Sequence, residues 1–556
     1  MIKVSLLTLA FLAAGQGALA QPTGMNAGGQ IQQIPPAPEQ PRSLPDIRIE
    51  RGHAAPPPAP AGIRIVVRAL HFTGQTRFTE TELVAAAGFR PGAEMDLADL
   101  RAMVARVSDF YSRHGYFVAQ AYLPAQDVES GAVTIAVIEG HYGKIGLDNR
   151  AHISDGLAHS IMAGLEPGQI VAAPPLERRL LLLQDLPGVN VRAILSPGET
   201  VGASDLLVDL TPGRRVTGDL EADNAGSRYT GEWRGGGTIN FNEPTGHGDV
   251  ASLRYLTSGS GMNYVRGDYQ FQVQDLTLGV AYAYLNYQLG HEFAPLHARG
   301  TADIASLYAS YPLIRSRDTN LRVLADFDYR TFRDEVRVTS SVSDRAAEVG
   351  AISLIGGHHD HLLGGGWTNF SITATAGNLD IKTPLARAID RVSARSDGGY
   401  GKLSFDVSRL QTLYGPLSLY GEARGQIASK NLDTSEKMEL GGAYGVRAYP
   451  EGEAYGDEGY ILTAEARLTL ATLPEPLGGR VQAVGFGDHG SVTLDKSPWF
   501  HGFNTRTLSA AGVGLDWSGG HGVMVRVSYA FRLGDERAIS APDRSGRLWV
   551  QVYKFF

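Results

Sequence analysis

Apolar and polar residues alternate strictly in many short runs between residue 214 and residue 556. In one run, apolar residues occupy every second position from Leu321 to Tyr329, and Arg322, Asp326 and Asp328 lie between them. Every second residue of a strand points to the same face, so such a run predicts a strand with one apolar and one polar side. The segment holds about sixteen such runs, an even number within the range of transmembrane barrels. A soluble sandwich with its apolar side inward would show the same period.

The connections and the chain end favour the barrel over the sandwich. Short turns such as 411–415 alternate with longer connections at 290–300, 332–345 and 429–457. This asymmetry is typical of membrane barrels, which have short periplasmic turns and long outer loops. The aromatic segment 549–556 fits a last strand, although Lys554 shares a side with Phe556 and leaves its register open. We therefore predict a membrane all-β barrel of antiparallel strands over residues 214–556.

Two shorter units before the barrel repeat the order strand, helix, helix, strand, strand. In residues 63–141 the pattern predicts strands at 65–72, 116–122 and 133–139 and helices at 79–87 and 97–114. In residues 142–213 it predicts strands at 144–147, 189–195 and 204–210 and helices at 153–165 and 175–185. A repeat of about 70 residues indicates two related α+β domains. Another kind of small α+β module is the alternative.

The N-terminal segment is predicted to carry no folded domain. Residues 1–20 fit a secretory signal peptide, with Lys3, an apolar run and Ala18-Leu19-Ala20 at its end. Residues 21–62 are rich in Pro and read as an extended linker. A helix over residues 25–34 would be weakened by Gly28 and Gly29 and ended by Pro35. We expect no convincing helix there, and we expect its removal to change the function little.

Composition excludes several classes of protein. The chain has no Cys, so it contains neither disulfides nor thiol chemistry, and its net charge of -8 argues against a nucleic-acid partner. It lacks the run of about 18 apolar residues that a membrane helix requires after the signal peptide. The run His358-His359-Asp360-His361 has ligand-type residues, but neighbouring side chains of a strand point to opposite faces, so we predict no metal site. No phosphate-binding loop and no nucleophile elbow occur, so neither an enzyme nor a cofactor is predicted.

The candidate site is a glycine-rich run, residues 441–450, which carries one cation, Arg447. Alternating segments lie on both sides of it, so the run is predicted to connect two strands. In a later strand, Phe486, Asp488 and Gly490 share one face. Arg447 and Asp488 could therefore meet. The alternative is a hairpin loop with a solvated arginine.

The run Val446-Arg447-Ala448-Tyr449 resembles the Val-Arg-Gly-Tyr motif in the sixth outer loop of the Omp85 superfamily, and Phe486, Asp488 and Gly490 reproduce its Phe-x-Asp-x-Gly motif. The resemblance implies that the loop folds into the barrel and that Arg447 pairs with Asp488 as a loop–barrel lock. It also implies that Phe486 packs beside the tip and that Tyr449 helps to hold it. Ala448 replaces the family's Gly and lacks its easy access to positive φ. Counting strands outward places Arg447 in the sixth outer connection, as the family requires.

The two α+β units resemble POTRA domains. Residues 176–189 and 223–227 resemble the haemolysin-activator group of two-partner secretion transporters within the same superfamily. This resemblance implies an outer-membrane pore with POTRA domains in the periplasm of a Gram-negative cell. Such a pore captures an unfolded exoprotein along a POTRA strand edge and exports it without ATP. Its partners are the exoprotein and outer-membrane lipid, and the barrel is expected to be monomeric.

Two other functions are compatible with parts of this sequence pattern. The first is an outer-membrane protein assembly factor of the same superfamily, which inserts barrels and usually has more than two POTRA domains. The second is a passive porin, which leaves the two periplasmic units without a role.

Overall fold

The computed structural model describes residues 25–38, 45–49, 64–128 and 130–556. The predicted signal peptide, residues 1–20, lies outside these ranges, and so does most of the predicted linker. Two short elements precede the first domain: α1 (Ala27–Gln32) and β1 (Asp46–Ile49). Within the described ranges, we find no helix with the length and apolar character that a membrane span requires.

The first α+β domain follows the predicted order and adds one short strand. Its elements are β2 (Ile65–Val67), β3 (Ala69–Thr73), α2 (Glu80–Ala87), β4 (Ala93–Met95), α3 (Leu97–Arg113), β5 (Gln120–Tyr122) and β6 (Ala132–Ile138). The main sheet has the order β3-β6-β5, and β4, which the sequence did not predict, pairs with β2. Both helices begin at capping boxes, Thr79 with Glu82 and Asp96 with Asp99. The apolar face of α3 packs on the sheet through buried residues such as Tyr111.

The second α+β domain has a sheet that an N-terminal segment extends. Its elements are β7 (His141–Asn149), α4 (Asp155–Met162), α5 (Ala173–Gln184), β8 (Val189–Pro197) and β9 (Ala203–Pro212). The strand order is β1-β8-β9-β7, and β1 runs parallel to β8 from the pair Asp46–Arg192 to the pair Ile49–Leu195. The sequence predicts an extended linker here but no strand pairing; residues 46–49 pair because the open edge of β8 supplies backbone partners that no local pattern reveals.

The rest of the chain forms a closed antiparallel barrel of sixteen strands, which confirms the predicted fold class. The first eight are β10 (Val216–Asp223), β11 (Arg234–Asn242), β12 (Val250–Thr257), β13 (Met262–Val273), β14 (Leu276–Gln288), β15 (Ala298–Arg315), β16 (Thr319–Val336) and β17 (Ser341–Asp360). The next three are β18 (Gly366–Ile381), β19 (Gly398–Thr412) and β20 (Leu417–Ala428). A small pair outside the barrel sheet, β21 (Met438–Glu439) and β22 (Tyr455–Gly456), comes next. The last five are β23 (Glu458–Thr472), β24 (Arg480–Thr493), β25 (Thr505–Ser518), β26 (Val523–Arg532) and β27 (Gly546–Phe555).

Two outer connections differ from the sequence-based expectation. The predicted long connection 332–345 is mostly strand: β16 and β17 stay paired as far as Val336 and Ser341, and only a single turn joins them. Backbone pairing does not need an apolar face, so these strands continue into a polar stretch that was read as a loop. Connection 382–397 instead contains an unpredicted helix, α6 (Pro384–Val392).

The barrel closes between its first and last strands, where β10 pairs with β27 from Asp219–Phe555 to Asp223–Gln551. This pairing settles the register that the sequence left open. Tyr553 points into the lumen, where its hydroxyl lies 3.2 Å from that of Tyr444. Lys554 therefore points outward, and its ammonium donates to the carbonyl of His521 in the adjacent turn. This contact keeps the charge at the membrane edge while the side-chain stem stays against the wall.

Charged side chains of α5 hold the second α+β domain against the turns at one end of the barrel. Arg178 and Arg179 both contact Asp275, at 3.2 and 3.3 Å. Arg315 makes a two-pronged contact with Asp185, with N–O distances of 2.6 and 2.8 Å. The polar side of this helix thus binds the barrel while its leucines fill the domain core. The domain is therefore fixed at the end of the barrel that carries the short turns.

Candidate functional site

The sixth outer connection, residues 429–457 and hereafter loop 6, folds back into the barrel. Its glycine-rich part makes a tight turn in which the Tyr449 amide donates to the Val446 carbonyl at 3.0 Å. A Cβ at Gly445 would lie 2.3 Å from the Gly441 carbonyl oxygen, so no larger residue fits there. The sequence predicted the loop, and the structure places its tip against the inner wall.

Arg447 and Asp488 make a close ion pair on that wall. The Arg447 Nη2 and Nε atoms lie 2.7 and 2.8 Å from the two Asp488 carboxylate oxygens, and the Arg447 backbone amide also donates to this carboxylate at 3.2 Å. The Asp488 side chain is 0% exposed. The guanidinium carbon lies 3.5 Å from the centre of the Phe486 ring, within the range of a cation–π contact. The predicted contact thus exists, whereas the role of these residues as a lock stays a prediction.

Two further charged residues, which the motif did not reveal, complete the site. Arg447 Nη1 lies 2.9 Å from Glu465 Oε1, and Arg467 binds the other oxygen of Glu465 at 2.6 Å. Both residues are on the inward side of β23. Together with Asp488 of the wall and Arg447 of loop 6, they form a row of charges of alternating sign. Their position in a period-two run was visible in the sequence, but their distance from Arg447 was not. The four charges balance, which lowers the cost of burying them.

Apolar contacts hold the tip beside the ion pair. Val446 and Tyr449 are fully buried and pack in one cluster with Phe486. The Tyr449 hydroxyl donates to the Glu536 carbonyl at 3.0 Å. A Cβ at Gly490 would lie 2.6 Å from Cδ1 of Leu440 in loop 6, so glycine leaves the space into which the loop packs. The six predicted site residues are therefore brought together.

Ala448 fits the tip without the glycine that the family motif has at this position. It is not among the described residues with positive φ, and it is 2% exposed. The indole of Trp549 donates to the carbonyl of the preceding residue, Arg447, at 2.7 Å. A small side chain is thus enough at Ala448, and the departure from the motif does not disturb the turn.

The N-terminal helix α1 also lies inside the barrel, so the expectation that residues 25–34 lack a helix is wrong. The Ala27 amide donates to Asp334 at 2.8 Å, and Asn26 caps the helix by accepting from the Gly29 amide at 2.9 Å. A Cβ at Gly28 would lie 2.9 Å from the Ser435 amide nitrogen, so a glycine that weakens a free helix permits close packing against loop 6. Wall contacts stabilise α1 where intrinsic propensity does not.

The chain that follows α1 is held by buried arginines. Arg234 Nη1 donates to the Gln33 carbonyl at 2.8 Å, and Arg254 Nη1 donates to the Pro35 carbonyl at 2.7 Å. Gln33 donates in turn to the Tyr455 hydroxyl of loop 6 at 2.7 Å. The N-terminal segment thus binds both the barrel wall and loop 6.

One arginine links the two segments that occupy the lumen. Arg345 pairs with Asp334, the residue that accepts from the N-terminus of α1, at 2.6 Å, and it also pairs with Asp433 of loop 6. Its side chain is 8% exposed. Asp334, which binds α1, and Asp433 of loop 6 share this cation. Displacement of α1 or of loop 6 would therefore change the electrostatic interactions of the segment that remains.

In front of the barrel, a buried carboxylate orders the first α+β domain. Glu139 accepts from the backbone amides of Thr76 and Arg77 at 2.7 and 2.8 Å and from the Tyr111 hydroxyl at 2.9 Å. Burial alone would raise the pKa of Glu139, but these hydrogen bonds hold its pKa below the ordinary value. The carboxylate thus connects the end of the last strand to the loop after β3 and to α3.

Comparison with known proteins agrees with this arrangement. Residues 202–517 match the family model described as haemolysin secretion/activation protein ShlB/FhaC/HecB, and residues 65–140 match a ShlB-type POTRA domain. The chain is 28% identical over 473 residues to the heme/hemopexin transporter protein HuxB of Haemophilus influenzae (strain 86-028NP), covering 84% of this chain and 82% of HuxB. It is 25% identical over 481 residues to the outer membrane transporter CdiB of Escherichia coli O6:K15:H31 (strain 536 / UPEC), covering 82% and 76% of the two chains.

A solved structure shows the same fold. CdiB from Escherichia coli superposes with a TM-score of 0.68 at 21% identity, and the match covers 91% of this chain and 93% of that one. The predicted outer-membrane location is confirmed. The predicted export function is also confirmed, and the comparisons favour it over the assembly-factor alternative. The family is one of transporters. With its POTRA match, its sixteen-stranded barrel and a family model that spans more than half of its length, the chain belongs to the haemolysin secretion/activation family ShlB/FhaC/HecB.

Proposed function

We propose that this transporter works as a monomer that binds one unfolded exoprotein at a POTRA sheet edge and passes it through the barrel after loop 6 and α1 have moved. The observation that carries the proposal is the double occupation of the lumen by segments of the chain itself. Loop 6 is held at its tip by Arg447 and Asp488, and α1 is held at its start by Asp334. Polar contacts of this kind can be exchanged for water, so both segments can leave without unfolding the wall.

We propose that six residues act as a lock that holds the tip of loop 6 against the barrel wall: Val446, Arg447, Tyr449, Phe486, Asp488 and Gly490. In the closed state Arg447 is stabilised by two carboxylates. An exported chain that enters the lumen would bring water and its own polar groups, which weaken this attraction by raising the local dielectric constant. Release of the tip is therefore coupled to entry of the exoprotein, and no nucleotide is required.

Capture is proposed at sheet edges that have no strand partner within the described residues. In the first domain the edge strands of the main sheet are β3 and β5, and we assign capture to β5. In the second domain β7 is an edge, whereas β8 is already covered by β1. An extended chain can add to such an edge through backbone hydrogen bonds, which do not depend on its sequence. This suits a partner that arrives unfolded.

Proline substitution tests the capture step. Proline has no amide hydrogen and blocks strand addition at an edge while leaving side-chain chemistry almost unchanged. Ala121→Pro in β5 and Gly146→Pro in β7 should each be measured for exoprotein in the medium, with single-channel conductance as the control for an intact barrel. Ser108→Ala serves as the control for the hydrogen bond from the Ala121 amide to the Ser108 hydroxyl, which the first proline also removes. Loss of export in either variant supports edge capture when conductance is normal and hydrogen exchange of residues 64–212 is unchanged outside the substituted strand. Normal export from the variant carrying both prolines would contradict it.

A further inference from the structure

The unpredicted helix α6 turns its apolar side away from the protein. Leu385, Ile389 and Val392 are 67%, 58% and 79% exposed. At about 100° per residue these three and Ala388 fall within one arc of about 100°, the width of an apolar stripe that normally faces a core. Here the stripe faces the surroundings.

The opposite side of α6 is polar and faces the protein. Asp390 is buried and accepts from the Ser396 amide and hydroxyl at 2.9 and 2.7 Å. Arg387 pairs with Asp380. Ala386 is the one apolar side chain of the helix that packs against the neighbouring cluster. Since a helix in water buries its apolar stripe and exposes its charges, this reversed arrangement indicates that α6 borders a medium less polar than water.

The position of α6 continues the lipid-facing side of the barrel. The strands that lead into and out of it expose Ile372, Leu403 and Phe405 on the outer face of the wall. Every second residue of a strand points to the same face, and Ile372 and Asp380 both have even numbers in β18. Asp380 therefore lies on the same outer face as Ile372. Arg387 reaches Asp380 on the outer face, while Ala386 packs on inner-face residues such as Leu379, so the helix lies on the rim of the wall at the end of β18, just beyond the apolar band.

Unpaired cations lie beside the apolar stripe. Arg391 and Arg395 are both exposed, and neither has an ion pair among the described residues. An amphipathic helix with an apolar side and flanking arginines is the pattern that binds the interface of a membrane with anionic headgroups. The outer end of the barrel, where this connection lies, meets such headgroups in the outer leaflet.

We propose that α6 is an interfacial anchor, with Leu385, Ile389 and Val392 inserted at the headgroup boundary of the outer leaflet and with Arg391 and Arg395 bound to lipid phosphates. The anchor holds the rim of the pore at a fixed depth beside loop 6. Asn431 near the start of loop 6 donates to the Ala394 carbonyl at 2.8 Å, so connection 382–397 and loop 6 are in direct contact. Lipid bound by α6 would therefore also steady the base of loop 6.

Spin labels can test the proposal directly, because the chain has no native cysteine. The full-length protein would carry a nitroxide at Ile389→Cys, at Ile372→Cys as the lipid-facing control, or at His501→Cys as the exposed aqueous control. In bilayers that contain phosphate-bearing anionic lipid, power saturation compares access of oxygen, which prefers lipid, with access of a water-soluble nickel complex. Because position 389 is proposed to lie at the headgroup boundary, its label should give a value between the two controls, with more access of oxygen and less access of nickel than the His501 label has. A value that matches the His501 control would overturn the proposal.

A second arm separates the charge from the apolar stripe. Replacing Arg391 and Arg395 by alanine should shift the label at position 389 toward the aqueous value more in anionic bilayers than in zwitterionic bilayers, because the phosphates of zwitterionic lipids are already paired with a headgroup cation. An equal shift in both lipids would contradict binding to anionic lipid phosphates. A label that becomes shielded only while exoprotein is being exported would assign the stripe to the exported chain and overturn the lipid assignment.

Discussion

The ion pair between Arg447 and Asp488 can be tested with a double-mutant cycle. Arg447→Ala leaves the Asp488 carboxylate buried beside Thr463, with no cation among the described residues in contact with it. Burying this unpaired charge destabilises the closed state of the loop by about 3 to 5 kcal/mol. Asp488→Ala leaves Arg447 with Glu465 at 2.9 Å, so its cost should be smaller, about 1 to 3 kcal/mol. Both variants should therefore favour the open loop, with the larger effect for Arg447→Ala.

The two effects should not add. Residues in contact couple by about 0.5 to 3 kcal/mol, and a coupling of about 2 kcal/mol corresponds to about a 30-fold difference in the open-to-closed ratio. Ala448→Cys gives a small probe at the tip, where the native alanine is 2% exposed. Its rate of reaction with a water-soluble maleimide on whole cells reports how often the loop opens.

The cycle compares this rate in the parent, in the two single variants and in the double variant. The double variant should open less than the product of the single effects predicts. Arg299→Ala, which removes an exposed arginine on β15, serves as the matched control and should add independently to Asp488→Ala. If the Arg447 and Asp488 effects multiply as independent changes do, the two side chains do not act together and the lock hypothesis fails.

A chain without residues 63–212 should insert and conduct ions but export nothing, because it lacks both POTRA sheets; normal exoprotein levels in the medium would contradict this. Removal of residues 25–34 should raise the resting conductance in planar bilayers, because α1 no longer fills the lumen, and export should persist. A complete block of export would show instead that α1 is needed for transport. Glu139→Gln should destabilise the first domain. Because hydrogen bonds lower the folded pKa of Glu139, its stabilising effect is full above the unfolded value of about 4.5 and is lost as the pH falls further. Hydrogen exchange of residues 64–140 in the full-length protein should show a difference between wild type and variant at pH 7 that shrinks in acid, and a constant difference would refute this account.

The sequence by itself determined the elements that depend on a local period. Alternation along the chain predicted the barrel, since the inner and outer faces of every strand meet different media. The motif around Arg447 and the strand that carries Asp488 predicted one contact between distant segments. That inference needed a family resemblance, because no period relates a loop tip to a strand.

Only the tertiary structure decided the elements whose stability comes from other parts of the fold. Helix α1 has six residues, too few to be stable alone, and it forms because Asp334 and loop 6 receive it. Strand β1 forms because β8 offers an open edge. Glu465 and Arg467 join the lock because the barrel curves them toward the loop. Helix α6 turns its apolar stripe outward because Arg387 pairs with Asp380 of β18 and Asp390 accepts from Ser396 in the same connection. For α1 and β1 the stabilising partner lies far away along the chain, and for α6 it lies outside the helix, so the local pattern of apolar residues carries no information about it.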